Sequence, residues 1–233
     1  EAVAIEDDRI IAVGSVADLT GTLAETRYRI DDRFNDQVLV PGLINQHDHP
    51  WLAALMMSTQ ILAIEDWEIG GKSFPRAANE TQYREKLKAL LAQHTDSSEL
   101  FGSWGYHRLW HGDLNRAMLD EMSPDVPVFI WQRSGHEFIM NSKALERFNI
   151  TAATVSQLSD SAQAQANLER GHFWEQGAMA MVPVIFEELA EPQRYISSLK
   201  MIRDYWHAAG STWVVEPGGL VNKGMMTLQN QVF

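Results

Sequence analysis

The sequence predicts an α/β protein with parallel strands, and three observations carry that expectation. Apolar stretches of strand length alternate with stretches of helical spacing. One nearly continuous apolar run leads straight into the polar segment Gln46-His47-Asp48-His49-Pro50. Glycine, proline or a capping side chain stands at several of the joints. Parallel α/β architectures place their reactive groups where a buried strand ends, which is the order seen here. About four stretches read as barrel-type strands where a closed (β/α)8 barrel needs eight, so the sequence reads as stopping midway through a domain.

Residues 2–5 and 9–13 are β-type runs around Glu6-Asp7-Asp8, a tight turn, and Gly14-Ser15 closes the second run. Residues 16–37 are polar and broken, with one further strand expected over 27–30. Residues 1–38 are therefore read as a partial N-terminal β subdomain, and 39–233 as the first half of the barrel. The run 38–44, interrupted only by Pro41-Gly42, fits a strand buried on both faces. Residues 81–94 carry Tyr83, Leu87, Leu90 and Leu91 at amphipathic helical spacing, with Asn79 or Thr81 as the cap. Strands are expected over 100–106, 126–132 and 211–216, the last halted by Pro217-Gly218-Gly219. Helices are expected over 114–122, 142–148 and 193–209, with Gly210 as a C-terminal stop.

Composition excludes several functions. With 31 acidic against 19 basic residues the net charge is −12, and no basic face exists for phosphate contacts, so nucleic acid is not a partner. The absence of cysteine removes disulfides, thiolate zinc sites and a cysteine nucleophile, leaving His, Asp, Glu and Lys-derived groups to hold any metal. The longest unbroken apolar run, residues 178–186, is too short to cross a bilayer, so no membrane is expected. The first residue is Glu1, not Met; a cytoplasmic location is the expectation, with a signal peptide left open.

The chemistry rests first on His47 and His49. Residues i and i+2 of an extended chain point to one side, so both imidazoles can face one ion while Asp48 points away. Neutral imidazole suits zinc and similar divalent metals, and such an ion acidifies water for hydrolysis. The plain alternative is two surface histidines in a loop.

The segment Leu39-Val40-Pro41-Gly42-Leu43-Ile44-Asn45-Gln46-His47-Asp48-His49 resembles the amidohydrolase superfamily signature, and Asp8-Arg9-Ile10-Ile11-Ala12-Val13-Gly14 is similar to that superfamily's N-terminal β subdomain. Asn45 departs from the pattern, where an aspartate is common. Pro124-Asp125-Val126-Pro127-Val128, Gly135-His136-Glu137 and Asn141-Ser142-Lys143-Ala144-Leu145 resemble the amidohydrolase 3 branch, which includes YtcJ-like and N-substituted formamide deformylase-like proteins. Trp104-Gly105-Tyr106 and Trp110 are similar to that branch's Gly-Trp-rich segment. The resemblance implies a metal-bearing (β/α)8 TIM barrel beside a small composite β-sandwich, with one or two divalent ions, zinc foremost. It implies hydrolysis of a carbon–nitrogen bond other than a peptide bond by metal-activated water. It also implies that the later histidine ligands and the catalytic aspartate lie after Phe233.

Other residues carry a functional reading beside a plainer one. His136 follows the strand expected over 126–132 and is the candidate for polarising the substrate, against a role in capping or backbone satisfaction. Asn141 and Ser142 read as helix caps. Glu175, in a Gly-x-x-x-Glu element similar to the branch's, is a candidate bridging metal ligand, against an ordinary surface glutamate. Trp104, His107, Trp110 and His111 are candidates to line the substrate pocket, against surface or core positions. The expected partner is a small amide-type molecule, and a homodimer is left open. Two alternatives stand beside this reading: a deaminase or cyclic-amide hydrolase of the same superfamily, and a non-catalytic relative that binds metal or a small ligand.

Overall fold

The computed structural model describes residues 1–94, 96–219 and 223–233. The chain separates into two compact units, Glu1–Pro41 and Gly42–Phe233. In the first, β1 (Ala2–Glu6) and β2 (Arg9–Gly14) pair antiparallel, with Glu6 opposite Arg9. Asp7 sits at φ 54, the left-handed conformation that a two-residue hairpin turn demands. A short helix, Val16–Thr22, follows, capped by the Ser15 hydroxyl. No strand forms over 27–30.

The second unit contains β3 (Leu43–Asn45), β4 (Gln60–Ile61), β5 (Trp67–Ile69), β6 (Lys72–Phe74), β7 (Phe101–Tyr106), β8 (Val128–Gln132), β9 (Glu137–Met140), β10 (Ala166–Asn167), β11 (His172–Trp174) and β12 (Ser211–Val214). Six of these form one mixed sheet in the order β10-β11-β9-β8-β7-β4. Only β4, β7 and β8 run parallel; β9 returns antiparallel to β8, and β11 and β10 continue antiparallel.

This corrects the expected (β/α)8 barrel: among the described residues no barrel closes, and the main sheet is open and mixed. The turn through Gly135, at φ 82, sends the chain back beside β8 where a barrel would need a crossover helix. The strand that leads into His47 is not a member of this sheet. β3 pairs in parallel with β12 as a separate two-stranded sheet. Its expected burial on both faces is also corrected. Val38, Val40, Leu43 and Ile44 are exposed, because β12 is the single strand hydrogen-bonded to β3 among the described residues.

Strand β8 shows how the core is built. All five of its residues are buried, and alternate side chains go to opposite faces. Val128 and Ile130 join one apolar cluster with Tyr83, Leu87 and Leu91 of the helix Glu80–Gln93. Phe129 and Trp131 join another with Phe138 and with residues of the helices Pro50–Met57, Glu175–Leu189 and Pro192–Ala208. Helices on both faces explain why this strand reads as a continuous apolar run. The helix Glu80–Gln93 begins at Asn79, whose side chain accepts from the Gln82 N–H at 3.0 Å. Among the described residues no helix is long and apolar enough to cross a membrane.

Candidate functional site

His47 and His49 follow directly from β3, and the pairing of β3 with β12 fixes their backbone. The Val215 N–H donates to the Asn45 carbonyl at 2.9 Å, and the Asp48 N–H donates to the Val215 carbonyl at 3.1 Å. The two imidazoles stand side by side, centroids 5.2 Å apart and rings at 83°. His47 is exposed and His49 half-buried. His49 is followed by Pro50, which opens the helix Pro50–Met57 at a position where its missing N–H costs nothing.

Asp48 is tied into its own loop. Its carboxylate accepts from Asn45 Nδ2 at 2.7 Å and from the His49 N–H at 2.7 Å. This explains the asparagine at 45: an aspartate there would set two carboxylates against each other, whereas the amide donates.

Glu216, the last residue of the strand expected over 211–216, is the partner that tertiary structure adds. Its Oε1 accepts from His49 Nδ1 at 2.7 Å and from the Gly218 N–H at 3.0 Å. Its other oxygen, Oε2, is buried without a hydrogen-bond partner among the described residues. Burial, and then the negative charge of Glu216, pushes the Tyr195 hydroxyl above its ordinary range, so that phenol stays protonated. One signal for Glu216 was present in the sequence: it is a carboxylate at the C-terminal end of an apolar strand, the same position the two histidines occupy.

His136 and Glu175, expected separately, meet. His136 Nδ1 lies 3.1 Å from Glu175 Oε2, and the Glu175 N–H donates to the His136 carbonyl at 2.9 Å. Both side chains are more than half exposed. Glu175 holds φ 43, a conformation costing a non-glycine residue about 1–2 kcal/mol. Beside them, His172 Nε2 pairs with Glu137 Oε2 at 2.9 Å across the β9–β11 ladder. Among the described residues, no three His, Asp or Glu side chains gather as a group able to hold a metal, so Glu175 does not join His47 and His49 in one cluster.

The four residues expected to line a pocket divide. Trp104 is buried, edge-on to Trp67 at 5.5 Å. His111 is buried and stacked on Tyr83 at 4.4 Å. Its Nδ1 accepts from the His107 N–H at 3.0 Å, so its Nε2–H donates to the Ala77 carbonyl at 2.9 Å. Burial lowers its pKa, which keeps it neutral. His107 and Trp110 lie against each other at the surface, 4.6 Å apart, with the Arg133 guanidinium over the indole and ion-paired to Glu65. Two shallow cavities of ≈ 470 and ≈ 350 Å³ are lined by other residues, around Arg116 and Ser142 and around Gly70 and Met201.

No protein-family profile matches the chain. Over 219 residues it is 24% identical to Protein LONG AFTER FAR-RED 3 of Arabidopsis thaliana, covering 94% of this chain and 35% of that protein. A crystal structure of an uncharacterized metal-dependent hydrolase from Pyrococcus horikoshii OT3 matches 98% of this chain and 41% of its own, with TM-score 0.63 at 16% identity. A second, from Pyrococcus furiosus, matches 98% of this chain and 42% of its own, with TM-score 0.60 at 14% identity. The chain therefore has the fold of a portion of those two hydrolases, spanning 41% and 42% of their lengths and 35% of the plant relative's.

Proposed function

We propose that this chain is part of a metal-dependent hydrolase that cleaves a carbon–nitrogen bond other than a peptide bond, in an amide, formamide or related substrate. The observation that carries the reading is the imidazole pair at the end of β3, with His49 Nδ1 engaged by Glu216 and its Nε2 left for a ligand role. The fold shared with two proteins described as metal-dependent hydrolases supports it. So do the segment around His47, which resembles the amidohydrolase superfamily signature, and the segment around His136, which resembles its amidohydrolase 3 branch.

The donors fit a divalent cation, zinc first, as far as they go: two imidazoles on one side of an extended segment, backed by a carboxylate. They are two ligands of a set that needs more. When bound, the cation would acidify water and polarise the scissile carbonyl. The chain's own residues bind and orient. His47 and His49 hold the ion, and Asp48 clamps their loop through Asn45. His136, held through Nδ1 by Glu175, is the candidate to contact the substrate. Half-buried His107 and exposed Trp110 offer an aromatic surface for an apolar substituent.

The test uses full-length protein: elemental analysis for zinc, then a screen of N-acyl and N-formyl amines. Bound metal and hydrolysis are expected together, and both should disappear in the His47→Ala, His49→Ala double variant. Unchanged hydrolysis in that variant would refute the proposal.

A further inference from the structure

We propose that Glu216 is a positioning residue for His49: its carboxylate holds the Nδ1–H and so directs the Nε2 lone pair toward a divalent cation. This deepens the reading above and rests on it. In a neutral imidazole the proton occupies one nitrogen, and the hydrogen bond made by the other decides which nitrogen can bind metal. Here Nδ1 is 2.7 Å from a carboxylate oxygen, which can only accept, so Nδ1 carries the proton.

The contact is built into the fold and does not depend on a chance loop position. Val215, the residue before Glu216, exchanges backbone hydrogen bonds with Asn45 and Asp48, on either side of His47. The two strand ends are thereby locked in parallel register, 167 residues apart in sequence between His49 and Glu216. The Gly218 N–H grips the same Oε1 from the far side, fixing the carboxylate's rotation. Glu216 touches neither substrate nor ion in this role; it acts through His49.

The experiment compares wild-type full-length protein with Glu216→Gln and Glu216→Asp variants. Zinc affinity is measured by competition with a chromogenic chelator, and the ring-nitrogen shifts of 15N-labelled histidine are read in metal-free protein. Wild type should show His49 as the Nδ1–H tautomer. Glu216→Gln, which keeps the shape and removes the charge, should weaken zinc about 10- to 100-fold and broaden the tautomer distribution. Glu216→Asp should recover part of the affinity. An Nε2–H tautomer in wild type overturns the inference without any substitution, so a variant that fails to fold does not shelter it. If wild type binds zinc through His47 and His49 but Glu216→Gln binds within twofold of it, the inference falls and the hydrolase reading stands. If wild type binds no metal, the hydrolase reading falls and Glu216's role as a metal-site positioner falls with it, whatever the nitrogen shifts show.

Discussion

Replacing Asn141 with alanine should cost more stability than any other single polar substitution in the scaffold that carries β8 and β9. Asn141 is fully buried and its side chain makes four hydrogen bonds. Oδ1 accepts from the Val128 N–H at 2.8 Å and the Ala144 N–H at 2.9 Å. Nδ2 donates to the Ser123 carbonyl at 3.1 Å and the Val126 carbonyl at 2.8 Å. One side chain thus caps the helix Ser142–Arg147, anchors the start of β8 and holds the segment leading into it. Losing the cap alone is worth about 1 kcal/mol. Each of the other three buried backbone groups left unpaired costs about 1–3 kcal/mol, with non-additivity lowering the sum. We expect a total loss of about 4 kcal/mol, read as the shift in urea midpoint at constant slope by tryptophan fluorescence and circular dichroism. Asn141→Asp should also destabilise, because a carboxylate keeps both acceptor contacts and sets its other oxygen against two carbonyls. A loss below about 1 kcal/mol for Asn141→Ala, at unchanged slope, would refute the claim that these four bonds act as one structural joint.

Three further outcomes follow from the same geometry. His111 titrates below its usual 6.5 in the folded protein because burial disfavours the imidazolium, so its contribution to stability is complete above that pH and is lost as pH falls. The decline should not exceed about 1.4 kcal/mol per pH unit, and a His111→Gln variant should show a flatter urea-midpoint profile between pH 8 and 5. Gly171→Ala should cost about 2 kcal/mol or more in urea unfolding, since φ is 62 and a Cβ would lie 2.1 Å from the Met140 carbonyl oxygen. Arg170→Ala breaks a close pair with Asp113, at 2.7 Å, yet both side chains are about two-fifths exposed, so the thermal midpoint should register a loss of less than about 1 kcal/mol.

Much of the local structure was legible in the sequence because it depends on near neighbours. The spacing of Tyr83, Leu87 and Leu91 marks one buried helix face, and Asn79 and Asn141 sit where side-chain caps belong. The Glu6–Arg9 hairpin and the stop at Gly210, with φ 87, are likewise set by a few adjacent residues. The apolar run 178–186, too short to cross a bilayer, lies within the amphipathic helix Glu175–Leu189, which keeps its course despite Pro183. The strand expected over 27–30 did not form, because a β-type run too weak to hold its own partner remains irregular.

By itself, then, the sequence determined an alternating α/β chain and the presence of His47 and His49 on one side of an extended segment. Only the tertiary structure decided how the strands pair. A strand's residues specify which face is apolar, not which edge finds which neighbour, so the same alternation suited a barrel and the open mixed sheet that forms. That choice joined β12 to β3 and brought Glu216 to His49 across 167 residues, a distance over which no local rule operates.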